Sequence, residues 1–364
     1  GYTARHHTFF EMLGNFSFGD YFKQEAILWA WELLSGHFKI PVDRLWISIF
    51  REDDEAGGIW QREAGVAPER ILRFGEEENF WMMGDTGPCG PCSEILYDMG
   101  GEFIADPTKE IESGSDRYLE IWNLVFTQFD RQADGSLLPL PRKNVDTGMG
   151  LERTAAVLQG VASNYETDLF VPIIECVERM SGRRLGESSE VTTALKVISD
   201  HARAALFTIT DHITPSNEGR GYVLRRIMRR AIRFARRLGI EENFFPPAME
   251  VVAELMGREY PEVKESLAFA QRIAAREEDN FRTTLERGLS LLRELIDRAK
   301  AEGRDSISGG EVFRLYDTFG FPPEITREML EEEGLKYSAE EFDERMQAQR
   351  EKSRKTWSLS VDEE

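Results

Sequence analysis

The chain has 364 residues, 41% of them hydrophobic and 30% charged, enough for about two or three domains and a sizeable core. No apolar run reaches the length of a membrane span, nothing near the start resembles a signal peptide, and three cysteines (Cys89, Cys92, Cys176) do not make a disulfide framework, which points to a reducing cytoplasm. The formal net charge of -21 argues against a nucleic-acid partner unless the basic residues are gathered in one place.

The chain begins at Gly1, within an ordered-looking motif, and reads as a piece of something longer. In Arg5-His6-His7-Thr8-Phe9-Phe10-Glu11-Met12, the residues Thr8 to Phe10 favour a strand. His6, Thr8, Phe10 and Met12 would then share a face that can grip a phosphate at one end and cover a flat base at the other. The same pattern fits an aromatic core strand with two surface basic residues. Tyr21 to Phe38 carries a helical stripe at Phe22, Ala26, Trp29, Ala30 and Leu33. Arg44 to Phe50 reads as a strand, Glu52 to Ala64 as a short helix and Arg70 to Phe74 as a strand, without the regular alternation of a doubly wound fold.

Gly84, Gly87, Pro88, Gly90 and Pro91 predict a tight irregular loop. Cys89 and Cys92 have the spacing of half a zinc site or a redox pair, but the chain offers few further ligands, so no metal-ligand set is assigned. Glu120 to Phe129 reads as a long strand with Ile121, Asn123, Val125 and Thr127 on one face and Trp122, Leu124 and Phe126 on the other. The amide of Asn123 beside Val125 can orient a small amphiphilic ligand; an edge strand with one solvated face fits as well. A turn at Gln132 to Gly135 and a return at Leu137 to Pro141 follow.

In Val145-Asp146-Thr147-Gly148-Met149-Gly150-Leu151-Glu152-Arg153, two glycines let a ligand approach the backbone, and a helix follows whose amino end favours an anion. Arg153, in its first turn, can offer a planar fork to a phosphate or a flat face to a base. Asp85-Thr86-Gly87 and Asp146-Thr147-Gly148 repeat one tripeptide, as in an aspartic protease, but helical patterns beyond Leu151 disfavour that all-strand class.

Leu195 to Thr208 is amphipathic and holds Arg203 and His201, read as a half-buried histidine. The turn Pro215 to Gly221 leads into a helix over Tyr222 to Leu238 with Arg225, Arg226, Arg229, Arg230, Arg233, Arg236 and Arg237 and an apolar stripe of Leu224, Ile227, Met228, Ala231 and Ala235. With no acid between Glu218 and Glu241, this charge run suggests a polyanion partner. Ala270 to Arg304 reads as a long helix, Leu315 to Pro323 as a rigid loop with one exposed acid, and Ser338 to Lys355 as a charged helix ending in an acidic linker at Asp362-Glu363-Glu364. There are no internal repeats.

Taken together these stretches resemble the catalytic part of the alanyl-tRNA synthetases, a class II aminoacyl-tRNA synthetase family. Arg5 to Phe22 looks like the second half of motif 2, and Gly148-Met149-Gly150-Leu151-Glu152-Arg153 fits motif 3. Gly84 to Glu94 and Val145 to Gly150 look specific to the alanine enzyme, and Pro215 to Arg226 resembles its acceptor-stem-binding region. The resemblance implies an α+β fold, with an antiparallel sheet flanked by helices over residues 1–158 and a mostly helical acceptor-recognition domain over 159–364. It implies that alanine and ATP form alanyl-adenylate and pyrophosphate, with Mg2+ on the phosphates, and that the alanyl group passes to the 3′ end of tRNA(Ala).

By the same resemblance, Phe10 stacks on adenine with Met12 beside it, Arg5 or His6 lies towards the terminal phosphates, and Arg153, after Gly150, covers the other adenine face or reaches the γ-phosphate. Asp146 binds the alanine ammonium, Trp81, Val125 and Gly148 wall a methyl-sized pocket, and Asn123 contacts the polar end of the amino acid. Asn217 and Asp317 look like the pair that reads a G·U wobble pair, while Arg225, Arg226 and Arg229 supply salt-dependent affinity. Motif 1, the α-phosphate arginine and the editing domain lie outside these residues, so the expectation is that the chain alone forms adenylate poorly or not at all. A non-catalytic RNA-binding protein on a synthetase fold is the rival reading. No membrane partner is expected, and the oligomeric state is left open.

Overall fold

A computed structural model of the chain describes residues 3–101, 106–113 and 115–348. Its architecture is α+β, a largely antiparallel sheet with flanking helices followed by a mostly helical region. The chain divides into two compact units after Val171, later than the boundary read at Leu158. The cause is local: the Asn164 backbone N–H donates to the Ala4 carbonyl at 3.1 Å, which keeps the stretch after residue 159 with the first unit.

In the first unit the elements are β1 (Met12–Leu13), β2 (Phe16–Phe18), α1 (Lys23–Trp31), β3 (Leu45–Phe50), α2 (Asp54–Arg62), β4 (Ile71–Phe74), α3 (Glu76–Asn79), β5 (Phe80–Met82), β6 (Gly87–Asp98), α4 (Pro107–Glu112), β7 (Tyr118–Arg131), β8 (Leu137–Gly150) and α5 (Leu151–Gln159). The sheet runs β1-β8-β7-β6-β3-β4, with β2 also on β8 and β5 also on β6; only β3 and β4 pair in parallel. Strand β7 is therefore central, not an edge, and both its faces are largely buried. Its even-numbered residues Trp122, Leu124 and Phe126 join Ile27, Leu34 and Trp60 of the helical layer in one core. The polar edge of Trp60 is satisfied there: its indole N–H donates to Ser93 Oγ at 2.9 Å. Lys23 is buried against Asp53 at 2.7 Å, and Asp53 also caps α2 by accepting from the Ala56 N–H at 3.0 Å.

Three local expectations give way to pairing. Residues 8–10 are not a strand, because the segment before Met12 runs beyond the end of β8 and has no strand to pair with. The expected loop at 84–91 is largely strand: Cys89–Pro91 pairs with β5, and β6 pairs with β7 across an irregularity between Cys89 and Cys92. That irregularity accommodates Pro91, which cannot donate to a ladder. Gly90 is required there, since a Cβ would lie 2.0 Å from the Phe126 carbonyl oxygen. On α1 the buried stripe is Ala26, Ile27 and Ala30, while Trp29 stays 48% exposed, and a π-helical stretch Glu32–His37 carries the chain onward.

The second unit contains α6 (Val171–Ser181), α7 (Ser189–Thr210), α8 (Gly219–Arg237), α9 (Phe245–Met256), α10 (Pro261–Ala301), β9 (Ser306–Ile307), α11 (Gly309–Phe319), α12 (Pro323–Glu332) and β10 (Lys336–Tyr337). The loop expected at 315–323 is instead the end of α11 and the start of α12. Ser308 and Glu311 form a capping box that starts α11, and Gly320 closes it in the left-handed conformation. Residues 339–348 are helical; the rest of the charged helix expected to Lys355, and the tail Asp362-Glu363-Glu364, lie outside the described residues.

The arginines of α8 do not form an open basic face. Arg225 and Arg229 meet Glu277, Arg226 meets Glu324, Arg230 meets Glu328, Arg233 meets Glu328 and Glu332, Arg236 meets Glu286, and Arg237 meets Glu332. The balancing acids come from α10 and α12. His201 is fully buried, not half-buried, between Asp200 Oδ2 at 3.0 Å and Arg230 at 3.1 Å. Arginine can only donate, so Nε2 accepts and Nδ1 carries the proton towards Asp200.

Glu278 on α10 accepts the backbone N–H of Phe244 at 3.0 Å and of Phe245 at 3.1 Å, at the start of α9. Burial pushes its carboxyl up to about 8 from 4.5, against those two hydrogen bonds. An acid whose folded value is raised stabilises most below its unfolded value and loses that contribution as pH rises through the folded one. Melting curves should therefore show the parent protein losing stability relative to Glu278→Gln between pH 5 and pH 8.5. A constant difference across that range would show that Glu278 titrates normally.

Candidate functional site

The end of β8 and the start of α5 meet the amino-terminal segment at a cleft lined by Arg5, His6, Phe10, Met12, Gly148, Gly150 and Arg153. These seven were singled out from sequence, Phe10 and Arg153 share the cleft, and His7, Glu120, Ile121, Glu152 and Asn164 complete its lining. Glu152 makes the meeting possible: its buried carboxylate accepts the Glu11 N–H through both oxygens, at 3.2 and 3.1 Å. The N–H of Leu151 in turn donates to the Glu11 carbonyl at 2.9 Å. Phe10 is left 47% and Met12 62% exposed, apolar surface available to a flat ligand.

The cationic corner is asymmetric. Arg153 donates through one terminal nitrogen to the Glu120 carbonyl at 2.9 Å and to Glu120 Oε2 at 3.0 Å. Arg5 is held more loosely: its Nε is buried, makes no hydrogen bond among the described residues, and lies 3.7 Å from Asp116. Burial lowers the Arg5 guanidinium from its ordinary value, Asp116 opposes that, and neighbouring Arg153 adds to it. Two guanidiniums this close favour an anion between them. His6 is exposed and contacts Thr3 Oγ1 at 3.1 Å.

Asn123, Val125 and Asp146 are outside this cleft lining but continue along the same sheet face. Asn123 pairs across to Gly148 and Val125 to Asp146, so their side chains alternate with the core set. Asp146 is exposed on that face. Gly148 leaves the room that Met12 occupies, since a Cβ there would lie 2.9 Å from Met12 Sδ. Trp81 sits on β5, paired with Gly90, and is not brought to the cleft lining.

Sequence reasoning passed over the carboxylates of this face. Glu94 pairs across to Asn123 and accepts from Ser48 Oγ at 3.3 Å. Burial first, and Glu120 second, push Glu94 up to about 8. Burial likewise pushes the Cys92 thiol up, and Cys89, Cys92 and Cys176 are all free and buried. No cluster of three or more His, Cys, Asp or Glu side chains suited to a metal is present among the described residues.

In the second unit, Asn217 and Asp317 line one pocket with Tyr222, Arg225, Arg226 and Arg229. The structure thus gathers the whole predicted set at one place, although α11 is distant in sequence from the turn before α8. Among the described residues, no helix is long and apolar enough to cross a membrane.

A family profile described as "tRNA synthetases class II (A)" matches residues 1–363. The chain is 52% identical over 355 residues to "Alanine--tRNA ligase" of Desulfosudis oleivorans (strain DSM 6200 / JCM 39069 / Hxd3), covering 97% of this chain and 40% of that protein. It is 52% identical over 363 residues to the protein of the same name from Legionella pneumophila (strain Lens), covering 100% of this chain and 41% of the relative. The chain spans about two fifths of the length of the curated relatives it matches.

The cleft's amino-terminal wall depends on Asn164, which is buried and donates to the Arg5 carbonyl at 3.4 Å while meeting His7 Nε2 at 2.9 Å. Replacing it by alanine removes both contacts, and the expected loss is about 1–3 kcal/mol in urea unfolding, with faster amide exchange at residues 5–7. Unchanged exchange there would show that the wall holds itself.

Proposed function

Because the chain belongs to the class II (A) family of tRNA synthetases, we propose that it carries the aminoacylation machinery of an alanine–tRNA ligase. Alanine reacts with ATP to give alanyl-adenylate and pyrophosphate, and the alanyl group then passes to the 3′ end of tRNA(Ala). The single observation that supports this best is the meeting of Phe10, Gly150 and Arg153 at one cleft, next to a sheet face carrying Asn123, Val125 and Asp146. One end of that arrangement suits a base and phosphates, and the other suits a small amino acid.

In this reading Phe10 covers one face of adenine with Met12 beside it, and Arg153 covers the other or reaches the γ-phosphate. Arg5, whose Nε makes no hydrogen bond among the described residues, and His6 hold the terminal phosphates. Asp146 takes the alanine ammonium, Asn123 meets its polar end, and Val125, Gly148 and Trp81 limit the side chain to a methyl group. The carboxylate of alanine attacks the α-phosphate, and the positions of these groups bring the two together. Glu94, raised first by burial and then by Glu120, and Glu120 itself are oxygen donors that would hold a hard divalent cation. Bound there, Mg2+ supplies charge neutralisation on the phosphates.

The region beyond residue 158 is proposed to hold the tRNA acceptor stem, with Asn217 and Asp317 reading a G·U pair in its shallow minor groove. A cytoplasmic location fits this role and the free thiols.

Asp146→Asn removes the charge facing the ammonium, so the KM for alanine should rise on the order of 10- to 100-fold while the KM for ATP changes little. Alanine-dependent pyrophosphate exchange in the full-length protein measures both. Equal losses for the two ligands would remove Asp146 from this role, and absence of alanine-dependent exchange in the parent would sink the activity itself.

A further inference from the structure

Strand register orders the sheet face opposite the core of the first unit. Phe16 pairs with Asp146 and Phe18 with Asn144, and across β8 these two meet Val125 and Thr127. Paired residues point to one face, so Phe16 and Phe18 stand beside Asp146, while Ser17 between them points to the core and is buried. Among the described residues Phe18 is the most exposed large hydrophobic side chain, at 83%, and Phe16 is 57% exposed. Strand β2 lies at the sheet edge, and a strand added along that edge would bond its backbone without covering its faces. Arg142 lies against the turn that follows Phe18: a Cβ on Gly19 would be 2.5 Å from its Cδ. Lys143 comes next, with Nζ 5.0 Å from the Phe22 ring centroid. Both cations are exposed, and neither is in an ion pair among the described residues, in contrast to the arginines of α8.

Along β8 this face has three parts. Gly150 and Gly148 border the cleft with Phe10 and Arg153, Asp146 comes next, and Asn144 with Phe18 comes last. The reaction proposed above has three reactants, and nucleotide and amino acid take the first two parts. The third reactant is a single-stranded RNA end: flat bases on an anionic backbone. Exposed rings stack on bases of any sequence, and an arginine outside any ion pair suits a phosphate beside them. An apolar peptide would use the rings but gain nothing from Arg142. We propose that Phe16, Phe18 and Arg142 form a platform that receives the single-stranded 3′ end of the RNA and brings its terminal hydroxyl to the alanyl group held at Asp146. In that transfer the hydroxyl oxygen bonds to the alanyl carbonyl carbon, the bond from that carbon to the AMP oxygen breaks, and the hydroxyl proton passes to the departing phosphate. The proposal rests on the reading of Asp146 as the alanine site.

The test compares transfer with activation in the full-length protein: kcat/KM for charging an acceptor-stem hairpin RNA, divided by kcat/KM for alanine-dependent pyrophosphate exchange in the same variant. A loss of folded protein cancels in that ratio. Phe18→Ala should lower it about 5- to 100-fold, the scale of one base removed from an aromatic face. Phe18→Leu keeps apolar cover without a ring and should fall as far, whereas Phe18→Tyr should restore the ratio. Abasic residues in place of the unpaired nucleotides before the terminal one should abolish the difference between parent and Phe18→Ala. Arg142→Gln should flatten the slope of log kcat/KM for charging against log salt by about 0.7, one phosphate of a single strand. If the Phe18 variants yield no folded protein, the parent decides: photocrosslinks from 5-iodouridine in the 3′ tail should map to residues 16–18. A parent-like ratio in Phe18→Ala or Phe18→Leu, a Phe18→Ala defect that persists on abasic RNA, or crosslinks that map elsewhere overturn the proposal. The Leu and abasic results would assign the rings to packing beneath another part of the protein. An unchanged salt slope in Arg142→Gln removes the arginine from the platform. A parent protein without alanine-dependent exchange overturns the reading of Asp146 and the proposal with it, a result distinct from intact exchange with unaffected transfer.

Discussion

The pairing of β7 with β8 is the constraint on which the first unit depends. Between Trp122↔Met149 and Phe126↔Val145 the two strands are in unbroken register. Side chains alternate, so Trp122, Leu124, Phe126, Val145 and Met149 enter the core and leave Asn123, Val125, Asp146 and Gly148 on the opposite face. A slip of one residue would exchange the two sets. The same register fixes where β8 ends, and so where α5 begins and where Arg153 can reach back to Glu120 on β7. Core formation and site assembly are therefore one event in this sheet.

Charge is organised differently in the two units. In the first, the cleft keeps a cation whose Nε is without a hydrogen bond among the described residues, at Arg5, beside one that is already held, at Arg153. In the second, the cations of α8 are met by glutamates of α10 and α12, several of them half-buried or better. Removing one partner of such a pair leaves a charge with neither water nor counter-ion, a larger loss than the pair's own contribution. The overall net charge of -21 is thus not relieved by a basic patch on α8. Asn217 and Asp317 line the pocket beside Arg225, Arg226 and Arg229.

Much of this was legible from residues alone. Period-two alternation located β7, glycine spacing followed by a helical run located the β8–α5 junction, and many of the motif residues meet at two pockets, while Trp81, Asn123, Val125 and Asp146 line neither. What misled were rules that see only neighbours in sequence. The glycines and prolines at 84–91 signal a loop, but flanking strands impose pairing on them. Thr8 to Phe10 have strand propensity but no strand opposite. The arginine run of α8 has no acid nearby in the chain, yet its partners stand 48 to 99 residues further on. Glu94, Glu120, Glu152 and Asn164 were passed over because each acts through a partner that only the fold supplies.

The ladder of ion pairs on α8 also constrains how such a sequence can drift. Arg233 faces both Glu328 and Glu332, and Glu332 is shared with Arg237, while Arg225 and Arg229 share Glu277. Only Arg226–Glu324 and Arg236–Glu286 among these rungs are private to one arginine and one glutamate; the others are shared. In a shared rung, an exchange of one arginine for an apolar side chain strands an acid that still serves a second cation, so a lone compensating change does not restore balance. Tolerated histories would have to move in groups across α8, α10 and α12. Three stretches far apart in the chain are in this respect a single heritable character.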